Sequence, residues 1–253
     1  MNATLTRFLE IVEALDSAEA RSEGGLGVVR IAQLVGREKS QVSRALRTLA
    51  EAGFVERDAE TLRYRVGWRL VALGLRGRDT RLVGAAPPAL AELVATTGET
   101  AYLAVLAGAE VLTLATESPP HTVVAASWVG RTVPAWCTAA GRTLLADDDP
   151  TELERRLGST FGPAGPNAPR DVAELGRRIA ADRARGYAVA EEELEPGHAA
   201  VAASVRDASG RIVAAIIVSG PAFRLSPLLA EAGAAVRRAA DAVSQAIASR
   251  YAA

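Results

Sequence analysis

The hydrophobic period changes at Gly53, and that change limits what the first 66 residues can fold into. Upstream, apolar residues recur at helical spacing. Leu5, Phe8, Leu9, Val12 and Leu15 form one stripe, and Val42, Ala45, Leu46 and Leu49 form another at i, i+3, i+4 and i+7. Downstream, in "FVERDAETLRYRV" (54–66), Val55 opens one strand. Tyr64 and Val66 then alternate with Arg63 and Arg65, the period of a second strand, and "DAET" makes the turn between them. Between the helical stripes, "EARSEGGLG" (19–27) reads as a loop. "VVRIAQLVG" (28–36) reads as a short helix with Ile31, Leu34 and Val35 inward, stopped by Gly36. The order is helix, short helix, tight turn, a helix over 39–52, then a hairpin.

The helix over 39–52 has a second face. At about 100° per residue, Ser40, Ser43, Arg44 and Arg47 fall opposite the apolar stripe, with Lys39 and Gln41 beside the helix start. Three bases and no acid lie between 39 and 47. Hydroxyl, amide and guanidinium groups are what base edges and phosphates accept. A solvated helix face has the same composition, so the context decides. A short helix, a tight turn, this helix, and a hairpin bearing Arg57, Arg63 and Arg65 is the order of a winged helix-turn-helix. Double-stranded DNA is the expected partner. The charge distribution agrees in sign: residues 1–81 hold 14 Lys and Arg against 11 Asp and Glu, and the remainder 15 against 19.

The rest of the chain alternates strands and helices. "WRLVALGLRG" (68–77) reads as a helix with Leu70, Leu73 and Leu75 apolar, and the prolines of "GAAPPAL" restart the chain after a boundary near 78–84. "TAYLAVLAGAEVLTLAT" (100–116) and "AAVAASVRDASGRIVAAIIVSGP" (199–221) read as hairpins. "TVVAASWVG" (122–130) reads as a strand, "CTAAGRTLLA" (137–146) as a helix start, and "FGPAGPNAPR" (161–170) as a loop. "DVAELGRRIAADRARG" (171–186) is an amphipathic helix. A final helix over 226–250 is expected to be capped by Ser226, with Pro227 in its first turn.

With no apolar run of membrane-spanning length and no signal-peptide pattern at "MNATLTRFLEIVEALDSAEA", the expectation is a cytoplasmic protein with no membrane partner. One cysteine, Cys137, excludes an intrachain disulfide framework and a cysteine-based zinc finger, and two histidines far apart in sequence, His121 and His198, are thin material for a metal site. No cofactor is expected.

Three stretches together resemble the IclR family of bacterial transcription regulators. They are "EAGFVERDAETLRYRVGWRLVALG", "VGRTVPAWCTAAGRTLLA" and "RGYAVAEEELEPGHAAVAASVRDASGRIVAAIIVSGPAFRLS". The resemblance implies an α+β chain with three parts: a winged helix-turn-helix DNA-binding domain (1–66), a linker helix (67–81) and an effector-binding domain (82–253). The effector domain would be GAF/PAS-like, an antiparallel sheet flanked by helices. It implies a homodimer or homotetramer on operator DNA, controlled by a small-molecule effector. Repressor is the default sense, with activator as the alternative.

By the same resemblance, one pocket wall aligns with Trp136, Cys137, Thr138, Ala139, Ala140 and Gly141. The other aligns with Ala190, Glu191, Ala200, Ile217 and Ser219. This chain departs from members that bind small acids, which often carry an acid at 190, a cysteine at 200 and a hydroxyl at 217. Arg142 stands where Lys is usual. The departures suggest a larger, drier pocket, and Trp128 and Trp136 add stacking surface. The expected effector is aromatic or mostly apolar, such as an aromatic acid, with one carboxylate or carbonyl near 138–141. Two rival readings remain. Cys137 would be the nucleophile of an enzyme, although no base is in evidence. His198 after "EEELEPG" would be the centre of a metal sensor.

Overall fold

The computed structural model describes residues 3–76, 80–120 and 128–249. The chain divides into two compact units, Met1–Thr80 and Arg81–Ala253.

The first unit contains helices α1 (Ala3–Leu15), α2 (Ala18–Ser22), α3 (Val28–Leu34) and α4 (Lys39–Glu51). Strands β1 (Val55–Arg57) and β2 (Tyr64–Val66) and helix α5 (Trp68–Arg76) follow. Its core joins Ile11, Leu15, Leu26, Ile31, Val42, Leu46, Val55 and Tyr64. The stretch expected as a loop at 19–27 holds α2, because the Ser17 hydroxyl accepts the Ala20 amide at 3.2 Å and starts a turn. Two expected inward residues face out: Leu9 is 46% exposed and Leu34 is 44% exposed. On α1 the buried ridge is Ile11 and Leu15, and on α3 it is Ile31 and Ala32. Each helix is rotated so that its ridge of closest approach, not every apolar residue, meets α4. Gly67 sits where any side chain would collide with the Gly53 carbonyl, so the wing folds back tightly on the end of α4.

In the second unit α6 (Thr80–Thr97) leads into β3 (Thr100–Ala107), β4 (Glu110–Glu117) and β5 (Thr132–Pro134). Helices α7 (Ala139–Leu144), α8 (Pro150–Leu157) and α9 (Val172–Arg185) come next. Strands β6 (Ala188–Glu191), β7 (His198–Arg206) and β8 (Ile212–Pro221) precede α10 (Ala222–Leu225), a 3₁₀ turn (Ser226–Leu228) and α11 (Leu229–Ser249). The prolines do not restart the chain. Pro87 and Pro88 lie inside α6, exposed on its solvent side, where water can serve the carbonyls they leave unpaired. The buried ridge Leu82, Ala86, Leu90 and Leu93 holds the helix together behind them. Ser226 does not cap the last helix. Its hydroxyl donates to Glu191 Oε1 at 2.5 Å, and α11 begins three residues later.

The six strands form one antiparallel sheet in the order β5-β4-β3-β8-β7-β6. Side chains alternate across it with period two. On β7, Ala199, Val201, Ala203 and Val205 join a core with α6 and α11, while Ala200 and Ala202 face α7 and α9. On β8, Ala214, Ile216 and Val218 take the first side, and Ala215 and Ile217 the second. The strand expected over 122–130 falls largely on 121–127, outside the described residues, as does His121. The edge strand beside β4 is β5, which the sequence pattern did not single out.

Candidate functional site

The α3–α4 turn and the face of α4 are built as a helix-turn-helix requires. Gly36 takes a left-handed φ of 61° and turns the chain, and α4 starts at Lys39. Burying Val42 and Leu46 turns Ser40, Arg44 and Arg47 outward. Gln41 and Ser43 are half-buried at the flank. Among the described residues, Lys39, Arg44 and Arg47 hold no ion pair. The wing differs. Arg63 pairs with Glu23 at 2.8 Å and donates to the Glu23 carbonyl. Arg65 pairs with Glu56 at 3.1 Å, and the Arg57 guanidinium lies 5.6 Å from the Tyr64 ring centroid.

The second site is a cavity of about 460 Å³ in the sheet unit. It opens on the α7 side of the sheet, and period two chooses its lining: Thr100 and Tyr102 from β3, Val111 and Thr113 from β4, His198 and Ala200 from β7, Ile217 and Ser219 from β8. Ala104, Ala190 and Ala200 stop short where larger side chains would fill the space, which is why a cavity exists there. The Tyr102 hydroxyl bonds Ser219 and Thr100. Burial raises its pKa, and those bonds oppose the rise. Burial holds the His198 imidazole below its usual value, with Glu195 opposing. Burial also pushes the Cys137 thiol up to about 11, and its Sγ sits 3.9 Å from the Pro134 carbonyl oxygen. A thiol held protonated is a poor nucleophile.

The cavity gathers Trp128, Cys137, Thr138, Ala139, Ala140, Ala190, Ala200, Ile217 and Ser219. Three expected lining residues do not reach it. Trp136, in the turn before α7, is buried outside the cavity lining, its ring stacked on Phe161 at 4.6 Å and 14°. Gly141 lies against the Ala135 backbone, where a Cβ would collide with the carbonyl. It is a close-packing residue. Glu191 is one residue from Ala190 on β6, so it points to the opposite face, where it takes the Ser226 hydroxyl. The Gly141 amide is already taken by the Thr138 hydroxyl at 3.0 Å.

The sequence reading missed Glu99, Thr100, Tyr102, His198 and Arg224 as lining residues. The alternation of β3 and β8 carried that signal once Ser219 was placed in the wall. It also passed over Arg142, noted only for replacing a lysine. Arg142 is 2% exposed and donates through Nε to Asp182 at 2.6 Å, through Nη1 to Glu193, and through Nη2 to the Val189 carbonyl. Burial would lower its pKa, but Glu193 and Asp182 more than offset that and hold the charge on. Glu193 also pairs with Arg178 at 3.0 Å. The acid run before His198 is therefore anchored at Glu193 in an arginine cluster. Among the described residues, no group of three or more His, Cys, Asp and Glu is placed to hold a metal.

A winged helix-turn-helix unit followed by a sheet unit with an internal cavity defines a class: DNA-binding regulators with a ligand-sized chamber. Comparison with known proteins fixes the family within it. Residues 4–59 match the IclR helix-turn-helix domain, and residues 78–245 match the bacterial transcriptional regulator IclR C-terminal domain. The chain belongs to the IclR family of transcriptional regulators. It is 34% identical over 224 residues to the HTH-type transcriptional regulator BhcR of Paracoccus denitrificans, covering 88% of this chain and 78% of that one. It is 33% identical over 241 residues to the glycerol operon regulatory protein of Streptomyces griseus, covering 94% of each. Among solved structures, an IclR homolog from Microbacterium hydrocarbonoxydans complexed with 4-hydroxybenzoate superposes with a TM-score of 0.79 at 24% identity, covering 97% of this chain and 99% of that one. The IclR transcriptional regulator of Alicyclobacillus acidocaldarius gives 0.75 at 28% identity, covering 97% and 99%. No described helix is long and apolar enough to cross a membrane.

Proposed function

We propose that this regulator is an effector-controlled repressor that binds operator DNA as a dimer or tetramer. Helix α4 enters the major groove, with Lys39, Ser40, Gln41, Ser43, Arg44 and Arg47 toward base edges and phosphates, and the wing lies on the backbone. The sheet-unit cavity takes a small aromatic or mostly apolar effector. The observation that carries this reading is the cavity itself. At about 460 Å³ it has the size of a small-ligand site, and alanine, valine and isoleucine make much of its wall. That a Microbacterium protein of this fold is solved with 4-hydroxybenzoate supports an aromatic occupant. An effector shifts DNA binding only by its difference in affinity for the two arrangements of the protein.

The test is fluorescence anisotropy of the purified protein on DNA upstream of its own gene, at stated salt, against unrelated DNA. Specific binding that aromatic compounds release, with short keto acids inert, is the expected result. Tighter response to the short keto acids would overturn the effector reading, and transcription that falls when the gene is deleted would overturn repression.

A further inference from the structure

The charges on the cavity wall do not favour an anion. Besides Tyr102 and Cys137, whose ionisation burial disfavours, four described lining side chains can carry charge: Glu99, Glu195, His198 and Arg224. The only full cation among them is already matched. Arg224 grips Glu99 through two parallel bonds, Nε to Oε1 at 2.6 Å and Nη2 to Oε2 at 2.9 Å. Glu99 is 6% exposed, and Gly220 packs so closely on its carboxylate that a side chain at 220 would collide with it. The pair is thus built into the wall, with both carboxylate oxygens occupied. Among the described residues, Glu195 adds a second acid with no cation bonded to it, and partial burial holds the pKa of the His198 imidazole below its usual value. Arg131 stacks on Trp128 at 5.6 Å but is not part of the lining. What the wall does offer is neutral hydrogen bonding: the Tyr102 and Ser219 hydroxyls, the Thr113 hydroxyl and the His198 ring.

We propose that the cavity selects an uncharged effector, an aromatic or alicyclic compound bearing hydroxyl or carbonyl oxygen, over the carboxylate of the same skeleton. This rests on the reading of the cavity as the effector site. A carboxylate placed in it loses water, meets two acids, and finds its one candidate guanidinium bound to Glu99. A phenol, aldehyde, ketone or ester of the same shape keeps the apolar contact and bonds to the neutral donors and acceptors.

The test is calorimetry on the full-length protein with matched pairs: 4-hydroxybenzaldehyde against 4-hydroxybenzoate, and acetophenone against benzoate. The neutral member of each pair should bind at least about tenfold tighter, the order expected when a charge is buried without a partner. Equal or tighter binding of the acids overturns the proposal and leaves the effector reading standing. If no member of either pair binds, the effector reading fails and the proposal falls with it. Glu99→Gln, which releases Arg224, should raise acid affinity about tenfold without improving the neutral compounds. Should that variant fold poorly by circular dichroism, Glu195→Gln, at an exposed position, should narrow the gap between acid and neutral partner. An unchanged ratio in a folded variant overturns the proposal.

Discussion

Helix α4 and the wing each carry three cations, and the structure treats them in opposite ways. On α4, Lys39, Arg44 and Arg47 stand in solvent with no ion pair among the described residues. In the wing, Arg63 is held by Glu23 and Arg65 by Glu56, and Arg57 lies over Tyr64. The chain's charge total counts these six alike. A polyanion does not, because a guanidinium already beside a carboxylate brings less net potential to a phosphate. Under the proposed function, this difference gives sequence reading to α4 and shape support to the wing. Arg142 carries the second pattern to its limit, buried and bonded to Asp182 and Glu193 at once.

Substitutions at six positions sharpen that contrast or break it. Arg142→Ala leaves two buried carboxylates with one partner fewer and should cost about 3–5 kcal/mol of unfolding stability in urea, with Arg142→Lys milder. A loss below about 1 kcal/mol would mean that the cluster is solvated and not a buried network. Arg44→Ala and Arg47→Ala should each weaken operator binding by about 1–3 kcal/mol if the side chain reads a base. If specific and non-specific affinity fall together, the contact is to phosphate. Arg63→Ala and Arg65→Ala should each change operator affinity by less than about 1 kcal/mol, measured at the same salt, since each removes a charge already compensated on the surface. Losses as large as those at Arg44 would erase the distinction between helix and wing. The smallest effect is a gain. Glu56→Gln frees Arg65 and should steepen the dependence of log affinity on log salt by about 0.9, one extra phosphate neutralised. An unchanged slope would place Arg65 out of reach of the backbone.

The sequence made α4 legible because one helix carries both halves of its message: Val42 and Leu46 must turn inward, so Arg44 and Arg47 must turn outward. It misjudged α1 and α3 because neighbours, not periodicity alone, decide which apolar residue is on the ridge of contact. Leu9 and Leu34 were the cost of that. On the cavity wall, resemblance placed Ala190, Ala200, Ile217 and Ser219 together, and the strands bring them together. It erred at Glu191 by ignoring that adjacent residues on a strand face opposite ways. At Trp136 and Gly141 it took a run of neighbours in sequence for a single surface.

By itself, the sequence determined α1, α3, α4 and the wing hairpin, the outward basic face of α4, and the β3–β4 and β7–β8 hairpins of the sheet. Each follows from local periodicity and turn chemistry, which act over a few residues. Only the tertiary structure decided which charges are free. Arg142 meets Asp182 and Glu193 across 40 and 51 residues, and Arg224 meets Glu99 across 125. No local pattern encodes a partner that distant. Strand pairing and helix packing bring these groups together, and the burial of Arg142, Asp182, Glu193 and Glu99 then requires that each find its opposite.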